Sequence, residues 1–336
     1  MIFNKKHKTE SVDAPSAESG ATLPTEEYRE PAAPWLLCLV CMGLSLVACV
    51  INAFVYPFGD NLLAPVILEL VAIVFPSYLI LLTVYPRKTP IEQMRAIGFR
   101  RVEARYVFFL IFAALFMMSA SMLVSIIFGG VYSSAEGLVL LGTFTAGENE
   151  FNVSWPYLVL AYALIPAVAE ELLLRGVAMS QMDGMGFAAR AAVSCVMSAL
   201  VGFSLGGFIP SLVSALMLCF VFYTTRSLWA CIGVHLIFNL YRLFWESNIS
   251  AYYVSTSSRG LLLTVLVVVL LISGALFFGE SAKIYRENTG GEQGKTLSLD
   301  TFKSDIKKMV SFRPTVIFAA VCAAVFVAAS IIGYLS

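Results

Sequence analysis

The chain has 336 residues, 59% of them hydrophobic and 13% charged, with a formal net charge of zero and a mean hydropathy of +0.83. Soluble domains carry about 25% charged residues, so the deficit points to a polytopic membrane protein. The balanced charge provides no overall basic surface for nucleic acid.

Residues 1–34 are polar and rich in Ser, Glu, Pro and Lys, with no apolar core near the start. We expect a disordered cytosolic tail there rather than a signal peptide. Apolar runs follow at 35–56, 64–85 and 106–129, forming an N-terminal transmembrane block over 35–129. The stretch 130–155 has acidic but no basic residues and reads as an extracytoplasmic loop. Further runs at 156–181, 188–206, 208–225 and 228–245 make a core over 156–245. Runs at 260–278 and 314–335 fall in a C-terminal block, 246–336, with a polar cytosolic linker at 279–313. A spanning helix needs about 20 mostly apolar residues, so the expected fold is all-α with about eight to nine transmembrane helices.

Placing the N-terminus in the cytoplasm and alternating sides leaves only Arg242 and Arg259 outside, with Arg175 inside a span and all other Lys and Arg residues on the inner side. That is the positive-inside pattern, and we expect an integral protein of a bacterial plasma membrane. The basic 87–105 segment, with Ile91, Met94, Ile97 and Phe99, suits a position on the inner leaflet. The seven cysteines, Cys38, Cys41, Cys49, Cys195, Cys219, Cys231 and Cys322, all lie in apolar segments. They read as small apolar residues, not as a disulfide framework or zinc site.

Ionisable residues in spans are costly, about 2.5–3.5 kcal/mol on insertion scales, and persist when paired, wetted or useful. The candidates are Glu69, Glu170, Glu171, Arg175 and His235, with Asn239 as a polar neighbour. Glu69 sits near the outer interface and is expected to snorkel or pair with a neighbouring helix. Glu171 and Arg175 are i,i+4 in the favourable order for an ion pair. Glu170 is rotated about 100° from Glu171, so one carboxylate can be neutralised while the other faces elsewhere. His235 and Asn239 are also i,i+4 and share a face. Counted from the inner ends of their spans at ~1.5 Å per residue, Glu170 and His235 lie at comparable depths, so the two pairs can meet in the cytoplasmic half of the membrane. A carboxylate able to take a proton from water, an imidazole that holds the water or a metal, and an amide facing a developing oxyanion suit peptide hydrolysis.

Glu170-Glu171-x-x-x-Arg175 followed about 60 residues later by His235-x-x-x-Asn239 resembles the CPBP family, which comprises CAAX proteases and bacteriocin-processing or immunity proteins. The resemblance covers about 155–245. It implies an all-helical intramembrane endopeptidase opening toward the cytosol and acting on a membrane-anchored peptide or protein. It also implies Glu170 as the water-activating base, Glu171 and Arg175 as its support, His235 as a contact to water or metal, and Asn239 as oxyanion donor. A metal such as zinc would rest on Glu170 and His235. The chain departs from the family in its middle motif, Phe-x-x-x-His. Phe203 fits, but Gly207 stands at the His position, and the only other His is His7. Catalytic zinc usually takes three protein ligands, so zinc is expected to bind weakly or not at all. The alternatives are a catalytically inactive homologue, acting in bacteriocin immunity or as a membrane binding partner, and a transporter with the buried charges on an ion path.

Overall fold

The computed structural model describes residues 89–132, 154–182, 185–201, 205–246, 248–249, 259–289 and 302–307, with a few single positions beyond them. The tail 1–34, the runs 35–56, 64–85 and 314–335, most of the 130–155 loop, part of the 279–313 linker, Glu69 and Cys38, Cys41, Cys49 and Cys322 lie outside the described residues.

All regular structure among the described residues is helical. A short helix α1 (Pro90–Ala96) begins the described part. Thr89 caps it, and Thr89 and Glu92 form a reciprocal capping box with Pro90 in the first turn. Gln93 and, just past its end, Ile97 face inward, while Ile91 and Met94 stay exposed beside Arg95, as an interfacial helix presents its side chains. Then come α2 (Val107–Tyr132), α3 (Trp155–Ala178), α4 (Phe187–Val201), α5 (Leu205–Thr225), α6 (Leu228–Tyr241), which runs on through a π turn at Arg242–Glu246, and α7 (Arg259–Thr289).

The expected count of eight to nine spans is corrected here. Among the described residues, five helical stretches are long and apolar enough to cross a membrane: Ala104–Ile127, Trp155–Ala178, Phe208–Thr225, Leu228–Glu246 and Arg259–Glu287. The run expected at 188–206 yields only the 15-residue α4. At 1.5 Å per residue it rises about 22 Å, short of a hydrocarbon core about 30 Å thick. Part of the expected linker is also helical, since α7 runs on to Thr289.

The helices pack as α2 against α5, α6 and α7, α5 against α4, and α6 against α3. The α2–α7 seam is aromatic. Phe109 and Phe277 stack with centroids 5.1 Å apart, and Gly274 sits where a Cβ would meet Phe116 at 2.7 Å. Small residues that let helix backbones approach closely are the usual device for packing in lipid, where burial away from water adds little.

One end of the bundle is held by polar ties. The Leu228 amide donates to the Gly98 carbonyl at 2.7 Å, and the Ser227 hydroxyl to the Arg100 carbonyl at 2.6 Å. Thr224 pairs with Ser281 at 2.8 Å, and Arg105 with Glu287 at 3.0 Å. The Gly186 amide donates to Asp305 at 2.8 Å. Arg95, Arg100, Arg101, Arg226, Lys283, Arg286, Lys303 and Lys307 belong to these same segments, so the basic residues grouped by sequence also gather at one end in space. At that end α5 stops at Arg226, whose φ of 52° is the left-handed conformation of a helix C-terminus, and its guanidinium lies over the Tyr223 ring.

Gly98 turns the chain from α1 onto the α5–α6 connection. Its φ is +101°, and a Cβ there would lie 2.8 Å from the Phe222 ring. Gly98→Ala is therefore expected to cost about 1–3 kcal/mol, read as a lowered unfolding temperature in detergent, whereas Gly279→Ala, in open space on α7, should leave it unchanged.

Candidate functional site

The α3 stretch is not a uniform helix. It runs as α-helix over Trp155–Val159, π-helix over Leu160–Leu164, α-helix over Ile165–Glu171 and π-helix again over Leu172–Ala178. Pro166 explains the first departure: it has no N–H to give the carbonyl of Tyr162 and its ring crowds that turn, so the helix widens just before it. π turns leave backbone carbonyls without their usual donors and are frequent at functional sites. Within the first π stretch, the Ala163 carbonyl accepts from Asn239 Nδ2 at 3.3 Å.

Glu171 lies at the junction of the second α and π stretches and is 0% exposed, with Arg175 at 1%. One oxygen, Oε1, does two things. It accepts from Arg175 Nη1 at 2.8 Å and pairs with His235 Nδ1 at 2.8 Å. Arg175 remains protonated in proteins, so the oxygen that it charges is an acceptor and the proton of that second bond belongs to His235. The imidazole is thereby held with Nδ1–H toward Glu171 and Nε2 on the far side of the ring, the arrangement by which a carboxylate orients a histidine. Arg175 Nη2 donates to the Ala215 carbonyl at 3.1 Å, which ties α3 to α5.

Glu170 is half-buried and has no hydrogen-bond partner among the described residues. It lies within electrostatic range of His235, Glu171, Arg175 and Arg242. The second Glu171 oxygen, Oε2, and Arg175 Nε are buried with no partner among the described residues. Cys195, Cys219 and Cys231 are free and buried, and all three lie near Arg175.

The structure thus brings Glu171, Arg175 and His235 into direct contact, with Glu170 beside them and Asn239 on the same helix as His235. The i,i+4 ion pair occurs as the spacing indicated. The sequence did not reveal that His235 engages Glu171, that Asn239 is bound to Ala163, or that Ala215 holds Arg175. Pro166 was the one visible signal for the distorted span. In the middle motif, Phe203 lies outside the described residues, while Gly207 is in the first turn of α5.

Glu171 Oε1 and His235 Nδ1 are committed to each other, and the donors left over are His235 Nε2, Glu170 and the unpartnered Glu171 Oε2, where a catalytic zinc usually takes three protein ligands placed around one point. Among the described residues no three His, Cys, Asp or Glu side chains come together as a metal site.

Residues 152–241 match the family model for Rce1-like type II CAAX prenyl endopeptidases. The match covers α3 to α6, the segment that contains the site. No curated protein and no solved structure matches the chain.

Removing one partner of a buried ion pair leaves an uncompensated charge, at a cost of about 3–5 kcal/mol. Arg175→Ala is therefore expected to lower the unfolding temperature in detergent strongly, and Glu171→Gln combined with Arg175→Met to restore much of the loss. Equal destabilisation by the single and double variants would show that the pair is not what makes Arg175 necessary.

Proposed function

We propose that the protein is an intramembrane endopeptidase of the CAAX-protease type that hydrolyses a peptide bond in a membrane-anchored peptide or protein, with the basic end of the bundle in the cytoplasm. The observation that carries this reading is the double use of Glu171 Oε1 at 2.8 Å by Arg175 and His235. It leaves one imidazole nitrogen uncommitted, with a second carboxylate, Glu170, within electrostatic range of that histidine. The family match over residues 152–241 supports the same class of reaction.

In this mechanism Glu170 and His235 Nε2 hold one water between them. Glu170 takes a proton from that water, and the oxygen attacks the scissile carbonyl carbon. Asn239 uses one N–H on Ala163 and has a second for the developing oxyanion. The C–N bond then breaks, and Glu170 returns its proton to the departing amine. Glu171 and Arg175 touch no substrate. They fix the tautomer and orientation of His235.

A second reading, a non-catalytic homologue that binds a membrane partner, is favoured by Gly207 at the position of the family's middle His. The two are separated by cleavage of a pooled library of membrane-anchored peptides in liposomes. On the protease reading the wild type cleaves and Glu170→Gln loses about 10²–10⁴-fold, the usual contribution of a general base, with an unchanged unfolding temperature. If only Gly207→His cleaves, the scaffold has lost its chemistry and the binding reading stands.

A further inference from the structure

A cavity of about 70 Å3 lies between α2, α5 and α6. Each of these spans contributes a polar pair at helical spacing: Ser121 and Ser125 from α2, Ser211 and Ser214 from α5, and Arg242 and Glu246 from the end of α6. A serine in an apolar helix ordinarily satisfies itself by bonding back to the carbonyl one turn earlier. Ser119, Ser214, Ser273 and Thr225 do this here. Ser121, Ser125 and Ser211 do not, and they have no hydrogen-bond partner among the described residues, although Ser121 is only 3% exposed. Pro210 also lines the cavity, and its missing N–H frees the Gly206 carbonyl one turn earlier.

These groups require a polar occupant, since an unsatisfied polar group away from water costs several kcal/mol in lipid. The charge of Arg242 is met by Glu246 at 3.1 Å, so the walls are polar but balanced, which suits a neutral ligand better than an anion. A water needs roughly 10–15 Å3 of void and two to four polar partners, and the cavity offers both for several waters.

Its position connects it to the site. Phe238 lines the cavity one helical turn from His235, and Arg242 lies within electrostatic range of Glu170. Among the described residues, apolar side chains fill the side toward the basic end: Ile97 and Leu228, at 1% and 0% exposure, close on Gly176 beside Arg175. We propose that the serine-lined cavity is the port through which water reaches Glu170 and His235, entering from the end of the bundle away from the basic loops. The port's role in hydrolysis rests on the protease reading. Its water content does not.

The test is radiolytic hydroxyl labelling of the full chain in lipid nanodiscs, read residue by residue by mass spectrometry, together with cleavage of the peptide library. Phe238 is expected to be labelled although only 5% exposed, and Phe109, at 1% in the aromatic α2–α7 seam, to stay unlabelled. Ser211→Leu and Ser125→Leu fill the cavity from different spans. Either should reduce the Phe238 label severalfold and slow cleavage in kcat rather than KM. Wild-type labelling at Phe238 no stronger than at Phe109 overturns the port. Labelling of Phe238 without cleavage of any peptide upholds the water-filled cavity and removes the protease reading, whereas cleavage with Phe238 unlabelled does the reverse.

Discussion

A single carboxylate oxygen organises this bundle. Glu171 Oε1 takes a guanidinium and an imidazole at 2.8 Å each, and through them it engages three helices: Arg175 reaches α5 at Ala215, and His235 is on α6. A buried ion pair is weak evidence of stability, because removing two charges from water consumes most of what their attraction returns. A well-packed apolar pair would serve the fold as well. What it would not do is set the tautomer and orientation of a histidine. The arrangement therefore makes more sense as positioning than as reinforcement.

The surrounding packing is consistent with that priority. Where α2 meets α7 the contact is made by stacked rings and a glycine, the economical way to join helices in lipid. Around Glu171 the backbone itself departs from regularity. Two π stretches flank the short α segment that ends at Glu171, and a carbonyl of the first, that of Ala163, is met by Asn239. Ile97 and Leu228 pack beneath Gly176, so among the described residues apolar side chains lie between the charges and the end where the basic loops gather.

The sequence made the candidate residues stand out because ionisable side chains are rare in apolar runs. Glu170, Glu171, Arg175, His235 and Asn239 were singled out in this way, and the Glu171–Arg175 pair followed from i,i+4 geometry. The partner of His235 was not, because which of two adjacent carboxylates faces a neighbouring helix depends on rotation, and a π turn changes rotation without changing composition. Pro166 marked the place but not the size of the change. Span counting overshot at α4 for a different reason: a run of apolar residues records hydrophobicity, whereas crossing a membrane requires a helix of sufficient length, and among the described residues α4 covers 15, Phe187–Val201. The serine cavity was invisible in sequence because its six polar residues come in pairs from three separate spans, each unremarkable by itself.

The π stretches of α3 have a consequence for portability. A helix that widens by one residue shifts the rotational phase of everything beyond it, so the heading of Glu171 and Arg175 is set by backbone irregularities upstream and around them as much as by their own positions. The ten residues from Ala167 to Gly176 are therefore not a self-contained cassette. Set into an ideal, evenly wound helix, the same letters would aim their carboxylates at different neighbours. In this chain the distortion is as much a part of the motif as the side chains are.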